Sequence, residues 1–154
     1  MSDAMTGLNR LDGGLIDRSA ELNFRFDGKS LEGYGGDTLA SALLANGVRL
    51  MGRSFKYHRP RGVLSAGAEE PNAIVALREG AFTEPNTRAT TAELFDGLVA
   101  RSQNRWPSLA FDAMAVNDIM SDFLTAGFSY KTCMWTAKFW AISYEPILRH
   151  AAGL

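Results

Sequence analysis

Along the first third of the chain the hydrophobic positions change period. Leu22, Phe24 and Phe26 alternate with Asn23 and Arg25. That period of two sets one face of a strand on a core and the other in solvent. Asp27-Gly28 follows, a pair that tolerates positive φ at both positions and so predicts a two-residue hairpin turn. A second strand is expected from Leu31 to Tyr34, ended by Gly35-Gly36. The period then lengthens. Leu39, Ala42, Leu43 and Asn46 stand at i, i+3, i+4 and i+7, three of them apolar, which predicts a short helix. Asp37 or Thr38 is placed to N-cap it, and Gly47 supplies the left-handed residue that ends it. So short a helix is not stable alone in water, so packing on the strands must hold it. Ile74-Val75-Ala76-Leu77 reads as a later strand, and residues 87–91 as an edge strand.

Strand, turn, strand, helix at this size is the opening of a β-grasp fold. The fold class expected is α+β: a β-grasp, ferredoxin-like domain followed by an aromatic-rich, partly helical C-terminal arm. Residues 1–20 are polar and glycine-rich and read as an extended arm, residues 21–92 as the domain, and residues 93–154 as the extension. The last boundary rests on a shift in composition. Residues 106–144 hold nine of the 16 aromatics: Trp106, Phe111, Phe123, Phe128, Tyr130, Trp135, Phe139, Trp140 and Tyr144. Their spacing is irregular, and Pro107, Gly127 and Pro146 interrupt the region, so no single amphipathic stripe forms. A second small core is one reading. An arm that lays aromatic side chains on another domain or subunit is the sharper one, since such residues dominate interface cores.

The chain has 154 residues, 46% of them hydrophobic and 21% charged, enough for one domain with its own core. A net charge of −1 gives no field that would draw it to nucleic acid or an anionic membrane. The single cysteine, Cys133, excludes an internal disulfide framework and a cysteine-built metal site. No run approaches the about 18 apolar residues of a membrane-spanning helix. The first residues, MSDAMTGLNRLDGG, lack the apolar core of a signal peptide, so a cytoplasmic protein is expected.

Chemistry is suggested at two places. Ser65, Glu70 and Ala73 stand at the C-x₄-C-x₂-C spacing at which plant-type ferredoxins wrap a loop around a [2Fe–2S] cluster. A serine, a glutamate and an alanine do not replace three thiolates, so a cluster-binding scaffold without a cluster is expected. Upstream, Arg49, Arg53, Lys56, His58, Arg59 and Arg61 are interleaved with Phe55 and Tyr57. Of these, Arg53, Lys56, His58, Arg59 and Arg61 are the candidates for contact with a cofactor phosphate or another subunit. The plainer reading is a solvated loop whose arginines pair with local acids such as Glu69 and Glu70. His58 and His150 have no Ser or Cys partner at a recognisable spacing, and Cys133 reads as a small buried hydrophobe. No catalytic residues are expected.

The run GDTLASALLANGVRLMGRSFKYHRPRG, Gly36 to Gly62, strongly resembles the N-terminal domain of heterotetrameric sarcosine oxidase α subunits. SAGAEEPNAIV (Ser65–Val75), EPNTRAT (Glu84–Thr90), SQNRWPSLAFD (Ser102–Asp112) and YEPILRHAAGL (Tyr144–Leu154) agree in the same order. The likeness runs from Leu11 onward. Related domains in amine and proline dehydrogenase subunits and a hydrogen cyanide synthase subunit share the layout, and some keep four cysteines. Against that pattern Ser65, Glu70 and Ala73 take the first three ligand positions and Thr90 the fourth.

The resemblance implies that the complete enzyme demethylates sarcosine oxidatively to glycine, passes the one-carbon unit to tetrahydrofolate and forms hydrogen peroxide. It implies FAD, FMN, NAD and tetrahydrofolate for that enzyme, and no cofactor for this segment. No G-x-G-x-x-G occurs in the chain, so the family's NAD, tetrahydrofolate and flavin residues mostly cannot be placed here. The implied partners are the remaining domains of the α subunit and the other subunits. The rival readings are a non-catalytic β-grasp interaction module and, less favoured, an electron-transfer ferredoxin.

Overall fold

In the computed structural model, residues 9–123 and 136–151 are described. The alternating segment is β1 (Asp17–Phe26), joined through Asp27-Gly28 to β2 (Lys29–Gly35). Both turn residues have positive φ, 48° and 81°, the geometry that matches the twist of a two-residue hairpin. β1 starts earlier than the alternation indicates. Asp17 pairs with Gly35, and the register shifts between Asp17 and Glu21 before regular pairing begins. The arm expected over residues 1–20 therefore loses its last four residues to the sheet. Backbone pairing holds that part of β1, and its side chains are mostly exposed, so it leaves no hydrophobic signature.

Helix α1 (Leu39–Ala45) follows, N-capped by Thr38. The Thr38 hydroxyl accepts from Ser41 N at 3.2 Å, and Ser41 Oγ accepts from Thr38 N at 2.9 Å, a reciprocal capping box. Asn46 closes the other end: its side-chain amide donates to Glu32 O at 2.6 Å and to Ala42 O at 2.8 Å. Gly47 then takes φ 75°. Leu39, Ala42 and Leu43 are fully buried against Phe24, Val75, Leu98 and Met51, so the helix owes its order to the sheet.

A short ribbon pairs β3 (Gly52–Arg53) with β4 (Pro60–Arg61). Next come a 3₁₀ turn at Gly67–Glu69, β5 (Ile74–Leu77), β6 (Glu84–Arg88) and β7 (Leu98–Ser102). The main sheet has the order β2-β1-β7-β5-β6. β6 is the expected edge strand, displaced slightly toward the N-terminus. β7 corrects the expected domain boundary. It lies between β1, which it meets in parallel (Phe24 opposite Leu98), and β5, which it meets antiparallel (Val75 opposite Ser102). A domain cut at residue 92 would lack its central strand. β7 buries Leu98, Ala100 and Ser102, and two small residues out of three make no hydrophobic stripe.

Beyond β7 the chain forms a 3₁₀ turn at Ala113–Ala115 and α2 (Val116–Ile119). The last described part is α3 (Ala137–Phe139), a π-helical turn at Trp140–Tyr144 and α4 (Glu145–Ala151). The partly helical extension is thus observed. Phe128, Tyr130, Cys133 and Trp135 lie outside the described residues. No described helix is long and apolar enough to cross a membrane.

Candidate functional site

Of the four positions singled out in the loop region, Glu70 ties Ser65 and Ala73 together through its own carboxylate, and Thr90 joins through Gly67. Glu70 is fully buried. Its Oε2 accepts from Leu64 N and Ser65 N, each at 2.6 Å. Its Oε1 accepts from Asn72 N at 2.6 Å and Ala73 N at 3.0 Å. One carboxylate thus clamps both limbs of the loop, two amides from each. Burial alone would raise the Glu70 pKa, but the four amide hydrogen bonds outweigh it and hold the group below the usual glutamate value.

The remaining positions complete the loop. The Thr90 hydroxyl donates to Gly67 O at 2.6 Å. Ala73 is fully buried, and its carbonyl accepts from Ala89 N at 2.9 Å. Arg88 Nε donates to Glu70 O at 3.2 Å, so β6 supports the loop from behind. Ser65 Oγ is buried without a hydrogen-bond partner. A [2Fe–2S] cluster takes thiolate ligands, with histidine as the known replacement, and is tuned by hydrogen bonds to its sulfurs. Here no position at ligand spacing offers a thiolate, and four loop amides already bind a carboxylate. These residues do not fit the cluster. Among the described residues no group of three or more His, Cys, Asp or Glu is arranged to hold a metal ion.

The structure divides the basic cluster. Arg53 and His58 turn inward, with side chains 10% and 12% exposed. Arg53 donates to His58 O at 2.9 Å and to Leu109 O at 2.9 and 3.2 Å. His58 Nδ1 is hydrogen-bonded to the buried Asp112 Oδ2 at 2.7 Å. Asp112 Oδ1 accepts from Trp106 N at 3.1 Å and Met114 N at 3.0 Å. Burial would raise the Asp112 pKa, but hydrogen bonds from His58, Trp106 and Met114 and the His58 charge keep it lowered. Arg61 donates to Asn72 Oδ1 at 2.8 Å, linking the cluster to the Glu70 loop.

Arg59 and Lys56 lie further out, both over the Tyr57 ring, at 4.8 and 5.1 Å from its centroid. Arg59 also meets Asp118 at 2.6 Å. The acids that pair with the cluster are therefore Asp112 and Asp118, more than 50 residues away in sequence, rather than the neighbouring Glu69 and Glu70. Sequence reasoning missed Asp112, since one aspartate between Phe111 and Ala113 carries no spacing signal.

A third buried carboxylate ties down the N-terminus. Asp37 receives Arg10 through two bonds, 3.1 and 2.6 Å, together with Tyr34 N at 2.9 Å and Ser41 Oγ at 2.7 Å. Burial opposes its ionisation, but these bonds and the Arg10 charge win and lower its pKa. A concavity of about 570 Å³ lies between Phe26, Leu31, Val48, Leu50 and Leu109. It holds no His or Cys, and its one carboxylate, Asp27, is bound to Ser102 and Arg105. It offers no catalytic arrangement.

A model of the 2Fe-2S iron-sulfur cluster binding domain matches residues 19–105. The chain belongs to that family. The match spans β1 to β7 and carries the domain past residue 92, as the sheet does. Over 141 residues, 92% of the chain, the sequence is 64% identical to sarcosine oxidase subunit alpha of Rhizobium meliloti (strain 1021) and covers 14% of that protein. It is 45% and 49% identical to sarcosine oxidase subunits alpha of Corynebacterium sp., strains U-96 and P-1, over 57% and 55% of the chain and 9% of each protein. The chain thus spans about one-seventh or less of these relatives. Among solved structures it is similar to L-proline dehydrogenase from P. horikoshii, 27% identical, covering 58% of this chain and 17% of that one at a TM-score of 0.45. The resemblance to sarcosine oxidase α subunits holds across nearly the whole chain, on a domain of the iron–sulfur family.

Proposed function

We propose that the chain serves as the N-terminal structural and assembly domain of a cytoplasmic sarcosine oxidase α subunit. The observation that carries this reading is the 64% identity over 92% of the chain. In the complete complex, sarcosine, dioxygen and tetrahydrofolate give glycine, hydrogen peroxide and the one-carbon adduct of tetrahydrofolate. FAD, FMN, NAD and the folate belong to the other domains and subunits, where the redox chemistry resides. This domain contributes position and contact, and its donor set argues against an electron-transfer role.

The contact surface we assign is the extension. Trp106, Phe111 and Phe123 are 63%, 69% and 76% exposed, and aromatic side chains of this kind are enriched in interface cores. They pack on the remaining α-subunit domains or a neighbouring subunit. The same aromatics would serve a free-standing interaction module, which is the second reading.

The test is co-expression of the chain with the other parts of a sarcosine oxidase. On the α-subunit reading it co-purifies with flavin-bearing protein and raises the yield of active complex. Recovery without flavoprotein supports the interaction module. Peroxide from sarcosine with this chain alone, above a flavin-only control, would overturn the structural role. Hydrogen exchange adds a local readout: amides over residues 106–144 should gain protection on complex formation.

A further inference from the structure

We propose that the loop of residues 64–73 is an anion-binding nest whose resident anion is the Glu70 carboxylate, and that with the carboxylate removed it binds a small carboxylate such as formate. The inference stands on the loop alone and is independent of the sarcosine oxidase reading.

Leu64 N, Ser65 N, Asn72 N and Ala73 N converge on two oxygens at 2.6, 2.6, 2.6 and 3.0 Å. Successive backbone amides aimed at one point form a concavity selective for negative charge. An iron–sulfur loop surrounds an anionic cluster, and its amides can donate to the cluster's sulfurs. When the ligands are lost, buried amides are left without acceptors, and each unmet donor carries a desolvation cost. Here the residue at the second ligand position supplies its own acceptor. Glu70 Cα stays in the loop, its carbonyl is held by Arg88 and its amide by Gly67 O at 3.4 Å, and its side chain turns back into the centre. Two amides per oxygen match the acceptor capacity of an ionised carboxylate. An amide side chain would meet two of the four donors with its own N–H₂ group. The nest thus selects a carboxylate over its neutral isostere, and formate has that head group without a chain.

The test uses the full chain and reads exchange at the four amides by NMR. In Glu70→Ala they should exchange at least about tenfold faster than in wild type, beyond any change in β1 and β2. Sodium formate should slow them again, and sodium chloride at equal ionic strength should not. In Glu70→Gln one pair should stay protected and the other should be lost, with no response to formate because the side chain fills the nest. If Glu70→Ala does not accumulate folded, the Gln variant decides, and wild-type protection at all four amides in it overturns the proposal. So does equal recovery with formate and chloride, or four protected amides in Glu70→Ala without added anion. Stoichiometric iron and sulfide in wild type made with cluster-assembly machinery would also overturn it.

Discussion

The imidazole of His58 and the carboxylate of Asp112 meet at 2.7 Å across 54 residues of sequence. This contact fastens the extension to the basic loop. His58 sits at φ 54°, in the left-handed region that few non-glycine residues adopt, histidine among the more frequent of them, and its own carbonyl is held by Arg53. Asp112 reaches it from the far side while accepting two amides of its own turn. The basic loop is thus folded around an acid that the extension supplies.

Asp112→Ala should therefore cost about 3 kcal/mol, because it strips acceptors from His58, Trp106 N and Met114 N at a buried site. Asp118→Ala, which breaks only the exposed pair with Arg59, should cost less than about 1 kcal/mol. Urea denaturation of the two variants checks the contrast. Equal losses would show that Asp112 is not the anchor.

Stability should fall on acidification. Asp37, Glu70 and Asp112 all have lowered pKa values in the fold. Each binds its proton more readily unfolded than folded. Their contribution is therefore complete above the ordinary carboxylate range of about pH 4 and is lost as pH drops through the lower folded values. Urea midpoints across the acid range should fall below about pH 4, and less steeply in Glu70→Gln. An acid limb unchanged in that variant would remove Glu70 from the account.

Thr90 and Ser65 should respond differently to loss of their hydroxyls. Thr90→Ala loses the bond to Gly67 O and should cost about 1 kcal/mol. Ser65→Ala removes a buried hydroxyl with no partner and should be neutral or stabilising by up to about 1 kcal/mol. Thermal melts of the two variants give the signs.

Gly62 marks a close backbone approach. A Cβ there would lie 2.2 Å from the Arg49 carbonyl oxygen, beside the bond from Met51 N to Arg61 O. Backbone cannot move aside as a side-chain tip can, so Gly62→Ala should cost roughly 1–3 kcal/mol. Gly28→Ala, strained in φ but in open space, serves as the comparison. A Gly62→Ala protein as stable as wild type would mean that the ribbon shifts freely.

The hairpin, α1 and β5 were legible in the sequence because each depends on a local pattern: alternation and Asp27-Gly28, a capping residue with a 3.6 period, a short apolar run. β7 was not, since Ala100 and Ser102 carry no hydrophobic signal and its place is set by strands more than 20 and 70 residues away. The spacing of Ser65, Glu70 and Ala73 drew attention to the loop that Glu70 clamps. It did not show that Glu70 turns inward, which depends on four amides that no side-chain identity reveals. The basic residues were visible as a run, but their partners were not, because Asp112 and Asp118 come from the extension.

The place of β7 also bears on how the chain is made. Synthesis runs from the N-terminus, and the strand at the centre of the sheet is the last to leave the ribosome. The β1–β2 hairpin and α1 emerge early, with one side of β1 unpaired until Leu98 arrives opposite Phe24. For that interval the nascent domain shows an open edge beside Phe24 and Phe26, the kind of edge that pairs with another chain. Closure waits on a contact spanning 74 residues of sequence, which makes folding slow for the domain's size. A pause before β7 (Leu98–Ser102) has cleared the exit tunnel would prolong the exposed state, and one after it has emerged would give the sheet time to close.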